Sequence, residues 1–203
     1  NNLLETAVVC DAVATPLKVL KKGKISSFDK VGVIGAGGGL GIHMLKMLKL
    51  NNISTIGIDT KTEKFDQCNQ NGAEFSVSPL ENDLKNKIND YTEGNDLDVV
   101  IDFVSSKSSL ELGCSILGKG GRLVTLGGAG EQFLANSADM LVKELELIGS
   151  RYCTKQELKE SLDLFARGLI KPLVSNKTDF NGAEDLHNKI ETGDVTGRAG
   201  ILI

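Results

Sequence analysis

Glycines crowd the stretch Val31-Gly-Val-Ile-Gly-Ala-Gly-Gly-Gly-Leu-Gly41, and a carboxylate, Asp59, ends the next apolar run, Thr55-Ile-Gly-Ile-Asp59. Val31 to Ile34 reads as a short buried strand and Ile42 to Leu50 as a helix, with Gly35, Gly37, Gly38, Gly39, Leu40 and Gly41 forming the turn between them. A strand that breaks into glycines before a helix leaves backbone N–H groups free at the helix start. A pyrophosphate can approach them because no Cβ stands in the way. Asp59 falls where a dinucleotide site needs an acceptor for the adenosine ribose hydroxyls. The strand, the turn, the helix and the acid agree, and together they predict NAD binding. A carboxylate at Asp59 accepts from both ribose hydroxyls of NAD and repels the extra phosphate of NADP. Lys61 and Lys64 follow closely and partly offset that repulsion. By the same close-approach argument, a valine at Gly39 or Gly41 is expected to abolish cofactor binding without unfolding the domain.

These residues need a scaffold, and the rest of the chain reads as one. Strands and helices alternate: Val31–Ile34, helix Gly41–Leu50, strand Thr55–Asp59, helix Thr62–Asn71, strand Glu74–Val77 and helix Glu81–Thr92. Strand Asp98–Phe103 leads into helix Ser108–Leu117. Gly118-Lys-Gly-Gly121 then breaks the chain before strand Arg122–Leu126 and a loop of residues 127–130, and strand Leu145–Gly149 closes the series. Six apolar strands separated by helix-length segments predict a parallel sheet covered on both faces. Right-handed crossovers make it doubly wound, with its ligand at the carboxyl ends of the strands. Residues 1–24 read as helical lead-in, with Leu3, Leu4, Ala7 and Val8 at helical spacing and Leu17, Val19 and Leu20 after Thr15-Pro16. Residues 25–150 form the dinucleotide-binding unit. In 151–203, an amphipathic helix Lys155–Gly168 is followed by a short extended piece, a helix near Ala183–Glu191 and a terminal strand Ala199–Ile203 with no evident partner sheet upstream.

Composition narrows the function classes. The 203 residues are 40% hydrophobic and 25% charged, the balance of an ordinary globular domain. The net charge of −4, with both signs intermixed, argues against a nucleic-acid or anionic-membrane surface. The apolar runs are too short to span a bilayer and no signal peptide opens the sequence. Cys10, Cys68, Cys114 and Cys153 are scattered without zinc-knuckle or disulfide spacing, which favours a reduced, cytoplasmic protein. The lack of Trp and the scarcity of Tyr argue against an aromatic platform for sugars or single strands.

The chain resembles the C-terminal part of zinc-type medium-chain alcohol and polyol dehydrogenases. The resemblance rests on Cys10-Asp-Ala-Val-Ala-Thr-Pro16, the Gly35–Gly41 turn, Asp59 with Lys64, and Ile101-Asp-Phe-Val104. It continues through Gly118-Lys-Gly-Gly-Arg-Leu123, Leu126-Gly-Gly128, Leu147-Ile-Gly-Ser-Arg-Tyr152, Gly168-Leu-Ile-Lys-Pro172 and Thr196-Gly-Arg-Ala199. The turn carries one residue more than the family's shorter Gly-x-Gly-Gly-x-Gly form. The resemblance implies an α/β Rossmann fold whose N- and C-terminal segments belong to a catalytic domain largely outside this sequence, which accounts for the orphan terminal strand. It implies that Gly37 to Gly41 cradle the pyrophosphate, that Asp59 and Lys64 bind the adenosine ribose, and that Phe103 and Val104 flank the cofactor. Leu126, Gly127, Ser150 and Tyr152 fall where backbone groups hold the nicotinamide carboxamide. Arg198 matches an arginine that answers the pyrophosphate charge. It further implies a small alcohol or carbonyl substrate and a homo-oligomer, dimer or tetramer.

The resemblance also raises zinc. In the family a Cys, Asp or Glu one helical turn before a Thr completes the metal shell, and Asp11 stands so before Thr15, with Cys10 beside it as the alternative. A helix-capping role for Asp11 is the competing reading. His43 and His187 read as structural or solvated, so the implied metal belongs to the full-length enzyme, this stretch being metal-free and inactive alone. The functions left open are an NAD-dependent alcohol dehydrogenase, a zinc-free NADPH quinone or enoyl reductase, and a non-catalytic NAD-binding module.

Overall fold

The computed structural model describes residues 3–127 and 130–202. Asn1 of the lead-in, Gly128 of the Leu126-Gly-Gly128 stretch and Ile203 of the expected terminal strand lie outside the described residues. The lead-in is one continuous helix in three parts: α1 (Leu3–Val8), a π-helical stretch at Val9–Val13, and α2 (Ala14–Lys22). There follow β1 (Lys30–Ile34), α3 (Gly41–Leu50), β2 (Ser54–Ile58), α4 (Phe65–Asn71), β3 (Phe75–Val77) and α5 (Leu84–Tyr91). The second half has β4 (Leu97–Asp102), α6 (Lys107–Ser115), β5 (Leu117–Thr125), α7 (Ser137–Lys143) and β6 (Glu146–Gly149). The six strands pair in parallel in the order β3-β2-β1-β4-β5-β6. This is the doubly wound α/β sheet that the alternation of apolar runs predicts. The strand order reverses between β1 and β4, which opens a crevice at their carboxyl ends.

Strand side chains alternate between two cores. Val31, Val33, Val99, Ile101 and Val124 point to one face, where they meet Val19 of α2, Ile42, Leu45 and Leu48 of α3, and Cys68 of α4. Ile34, Ile56, Ile58, Val100 and Leu123 point to the other, against Leu84 and Ile88 of α5 and Leu110 of α6. Burial on both faces explains why the strands read as unbroken apolar runs. A third cluster, Val9, Val13, Leu17, Met47 and Ile170, joins the lead-in helix to α3 and to α8 (Lys155–Ala166). Arg122 pins the end of α2 to the sheet. Its Nη1 donates to the carbonyls of Gly23 and Lys24 at 2.9 Å, and its Nη2 pairs with Asp29.

Three expectations change. The glycines at 118–121 do not break the chain ahead of a strand; they lie inside β5. Leu97 pairs with Leu117 but Val99 with Arg122, so β5 bulges, and Gly120 takes φ +72° to make the bulge. α7 has no counterpart in the sequence reading. The terminal strand also has a partner: β8 (Arg198–Ile201) pairs in parallel with β7 (Val174–Thr178), the extended piece between α8 and α9 (Ala183–Glu191). Both strands come from the last thirty or so residues, so the pairing is local.

Candidate functional site

The glycine turn is assembled by hydrogen bonds from several elements. Gly35 N–H and Ala36 N–H donate to the Ile58 carbonyl at 2.9 and 3.3 Å, and Gly38 N–H donates back to Gly35 at 3.0 Å. Gly35 makes the turn at φ +76°. A Cβ at Gly41 would stand 2.1 Å from the Gly35 oxygen and 2.8 Å from Ala36, so Gly41 lets α3 close against the turn. That corrects the expectation for this residue, because a valine there collides with backbone and disrupts the turn itself. At Gly39 the nearest atoms a Cβ would meet belong to the Arg198 side chain, its Nε at 2.8 Å.

α3 begins at this turn without a side-chain cap; α4, α5 and α9 also lack one, whereas α6 and α8 each begin with a full capping box. Its ladder opens with Ile42 N–H donating to Gly38 at 3.1 Å. The N–H groups of Gly39, Leu40 and Gly41 lie ahead of that bond, in the position where a helix start receives an anion.

Asp59, just past β2, is fixed from both sides. Its Oδ2 accepts from Gly37 N–H at 2.8 Å and its Oδ1 from Lys61 N–H at 3.0 Å. Each carboxylate oxygen keeps a further lone pair for a ligand hydroxyl. Lys64 is buried against Gly37, and its ammonium donates to the Val195 carbonyl at 2.8 Å. Gly197 N–H donates to the Gly37 carbonyl at 3.2 Å. The stretch after α9 therefore straps back across the turn.

Two cavities flank the turn. One, of about 520 Å³, is lined by Gly35, Gly38, Asp59, Lys64 and Val104 from the sequence reading, and also by Thr192 and Gly193 of the strap. The other, of about 330 Å³, brings together Asp11, Leu40, Leu126, Gly127, Ser150 and Tyr152. Ser150 is buried there, and its Oγ has no hydrogen-bond partner among the described residues. A buried hydroxyl without a partner costs free energy unless a ligand supplies one. Phe103 packs on the first core, and Arg198 stands over Gly39.

Asp102, at the end of β4, is the main residue whose role the sequence reading missed. It is fully buried, and its Oδ1 accepts from Val104 N–H at 2.8 Å and Ser105 N–H at 3.0 Å, while its Oδ2 accepts from Ser109 Oγ at 2.7 Å. Ser105, held in the left-handed region at φ +53°, accepts from Gly127 N–H at 2.7 Å. Asp102 thus shapes the loop carrying Phe103 and Val104 and ties it to Gly127. The available signal was an Asp at a strand end followed by serines, the residue types that form such turns.

His43 is structural. It is fully buried, its Nδ1 lies 2.8 Å from the Gly39 carbonyl and its Nε2 accepts from Leu173 N–H at 3.0 Å. Since a carbonyl only accepts, Nδ1 carries the proton and the ring is neutral. Burial, aided by the nearby Lys46 and Arg198 charges, pushes its pKa down to about 4. His187 is exposed on α9.

A sequence model of zinc-binding dehydrogenases matches residues 39–167, most of the nucleotide-binding unit. The chain belongs to this family. It is 26% identical over 192 residues to an NAD-dependent alcohol dehydrogenase of Sulfurisphaera tokodaii, covering 94% of this chain and 55% of that protein. With the enzyme of the same description from Sulfolobus acidocaldarius it shares 29% over 194 residues, again 94% and 55%. The solved alcohol dehydrogenase of Aeropyrum pernix superposes with a TM-score of 0.87 at 28% identity, covering 96% of this chain and 56% of that one. The chain thus spans about half the length of the curated relatives it matches.

The family description brings zinc, and the donor set here does not fit it. Asp11 is not a helix cap; it sits within the π-helical stretch, where Thr15 Oγ1 donates to its Oδ1 at 3.3 Å and Arg198 pairs with its Oδ2. Cys10 beside it is exposed. No group of three or more His, Cys, Asp or Glu able to hold a metal exists among the described residues. The NAD side does fit, with the N–H groups ahead of α3, the Asp59 carboxylate held beside Gly37 and an orphaned Ser150 hydroxyl. No helix of the described residues is long and apolar enough to cross a membrane.

Proposed function

We propose that this chain is the dinucleotide-binding part of an NAD-dependent dehydrogenase that moves hydride between a small alcohol and its carbonyl product. The observation that carries the reading is the pair of cavities separated by the glycine turn, with Asp59 held beside Gly37 on one side and the unpartnered Ser150 hydroxyl on the other. The bound nicotinamide supplies the hydride chemistry. The chain's own residues bind and orient it. Asp59 accepts the adenosine ribose hydroxyls, and the Lys64 ammonium, with protons to spare beyond its bond to Val195, donates to the same ribose. The N–H groups ahead of α3 and the Arg198 guanidinium receive the pyrophosphate. Phe103 and Val104 flank the cofactor, and Leu126, Gly127, Ser150 and Tyr152 enclose the carboxamide.

One relative, 26% identical over 200 residues, is described as an NADP-dependent D-arabinose 1-dehydrogenase of Saccharolobus solfataricus, so family membership alone does not choose the cofactor. Asp59 favours NAD through charge repulsion of a 2′-phosphate. The test is calorimetric titration of the chain with NAD and, separately, NADP. Tighter binding of NAD is expected. Tighter binding of NADP would replace this reading with the reductase alternative, and binding of neither would overturn it.

A further inference from the structure

Two lysines lie close to Asp59, and left free they would attract a 2′-phosphate. Both reach the strap that follows α9, but only Lys61 meets an opposite charge there. Lys64 donates to Val195, as described, and the Lys61 ammonium lies 3.3 Å from Asp194 Oδ1 and 3.9 Å from Glu63 Oε1. Asp194 is itself set in place. Its N–H donates to the Lys189 carbonyl at the end of α9 at 2.8 Å, and Thr192 Oγ1 donates to its Oδ2 at 2.7 Å. The Thr192 hydroxyl and the Lys61 ammonium hold its carboxyl below the usual range, so it stays ionised. Thr192, Gly193 and Lys61 all line the cavity that Asp59 faces. These ion pairs are surface contacts, and exposed pairs of this kind add little to stability. Their consequence lies in where the Lys61 charge points.

Resting on the NAD reading above, we propose that Asp194 is a specificity-determining positioning residue: it draws the Lys61 ammonium away from the ribose and so leaves a 2′-phosphate with Lys64 as its one lysine on this side. Asp59 repels the phosphate, while Asp194, far away in sequence, removes one of the two cations that would offset that repulsion. Cofactor choice is then shared between the end of β2 and the strap after α9.

The test compares the wild-type chain with Asp194→Asn, Asp194→Glu and the double variant Lys61→Met/Asp194→Asn. Each is titrated calorimetrically with NAD and NADP after a melting curve shows that it is folded. The expected result is a rise of roughly two- to fivefold in the NADP-to-NAD affinity ratio for Asp194→Asn, the scale of an exposed ion pair. Asp194→Glu keeps the wild-type ratio, the gain shrinks at high salt, and it disappears in the double variant. An unmoved ratio or undetectable NADP binding in Asp194→Asn, or a gain that survives without Lys61, overturns the proposal while leaving NAD binding by the wild type intact. A wild-type chain that binds neither cofactor removes the underlying reading, and this inference with it.

Discussion

The Arg198 guanidinium, from the far end of the chain, bridges Asp11 of the lead-in helix and Gly39 of the glycine turn. One nitrogen pairs with the Asp11 carboxylate in the lead-in helix, while Nε and its neighbouring carbons lie against Gly39 in the glycine turn. In the sequence reading these residues had separate tasks, Asp11 toward a metal and Arg198 toward the pyrophosphate. Their pairing means that Asp11 sets the angle at which the guanidinium meets the turn.

Arg198→Met is expected to weaken NAD binding roughly tenfold or more, the scale of losing a charge-assisted hydrogen bond. Arg198→Lys should fall between, because an ammonium keeps the charge but loses the planar fork. Melting should shift little, since the pair with Asp11 is partly exposed. Calorimetric affinity within twofold of wild type for Arg198→Met would remove Arg198 from the pyrophosphate site.

The glycines of the turn separate folding from binding. Gly41→Ala places a methyl into backbone oxygen and carbon, a collision that costs about 1–3 kcal/mol or more and lowers the melting temperature. Gly39→Ala first meets the movable end of Arg198, so the chain stays folded while the affinity for NAD drops. Urea unfolding and NAD titration of both variants check this. Equal destabilisation of the two would mean that Gly39 is a packing glycine as well.

How much of this was legible in the sequence follows from range of interaction. The β1–turn–α3 unit and Asp59 were readable because strand, turn and helix chemistry lie in adjacent residues, and the sheet followed from apolar runs that only burial on both faces requires. The bulge in β5 was misread because glycines that interrupt a pattern look alike whether they end a strand or swell one. The partner of β8 was not read because β7, Val-Ser-Asn-Lys-Thr, is a short, mostly polar strand with no fully buried residue. The role of Asp102 is not legible in the sequence, since its partners, two backbone N–H groups and the Ser109 hydroxyl, are brought to it only by the folded loop. The Lys61–Asp194 and Asp11–Arg198 pairs join residues remote in sequence, and single-residue patterns hold no trace of them.

Asp59→Asn keeps the size of the side chain and removes its charge. The expected result is a loss of roughly tenfold in NAD affinity, as charge-assisted bonds to the ribose weaken. NADP affinity should hold or improve because the repulsion has gone. Parallel titrations measure both. An equal loss for the two cofactors would mean that Asp59 acts through its bond to Gly37, holding the turn, and does not discriminate at the ribose.

His43 gives the fold a pH dependence whose sign can be worked out. Unfolded, its imidazole titrates near 6.5; folded, burial pushes that down to about 4, and Nε2 is committed to accepting from Leu173. Between those values the unfolded chain takes up a proton that the folded chain refuses, so stability is lost as pH falls from about 6.5 toward 4. The full difference corresponds to about 3 kcal/mol. Urea unfolding at steps from pH 7.5 to 4.5 should show this decline. In His43→Gln the contribution disappears, at a cost of about 1–3 kcal/mol near neutrality for imperfectly replaced hydrogen bonds to Gly39 and Leu173. The exposed His187 serves as control, since His187→Gln should leave the slope as it is in wild type. An identical acid slope in wild type and His43→Gln would show that carboxylates alone set it, and that His43 does not bear the neutral, doubly bonded state assigned to it.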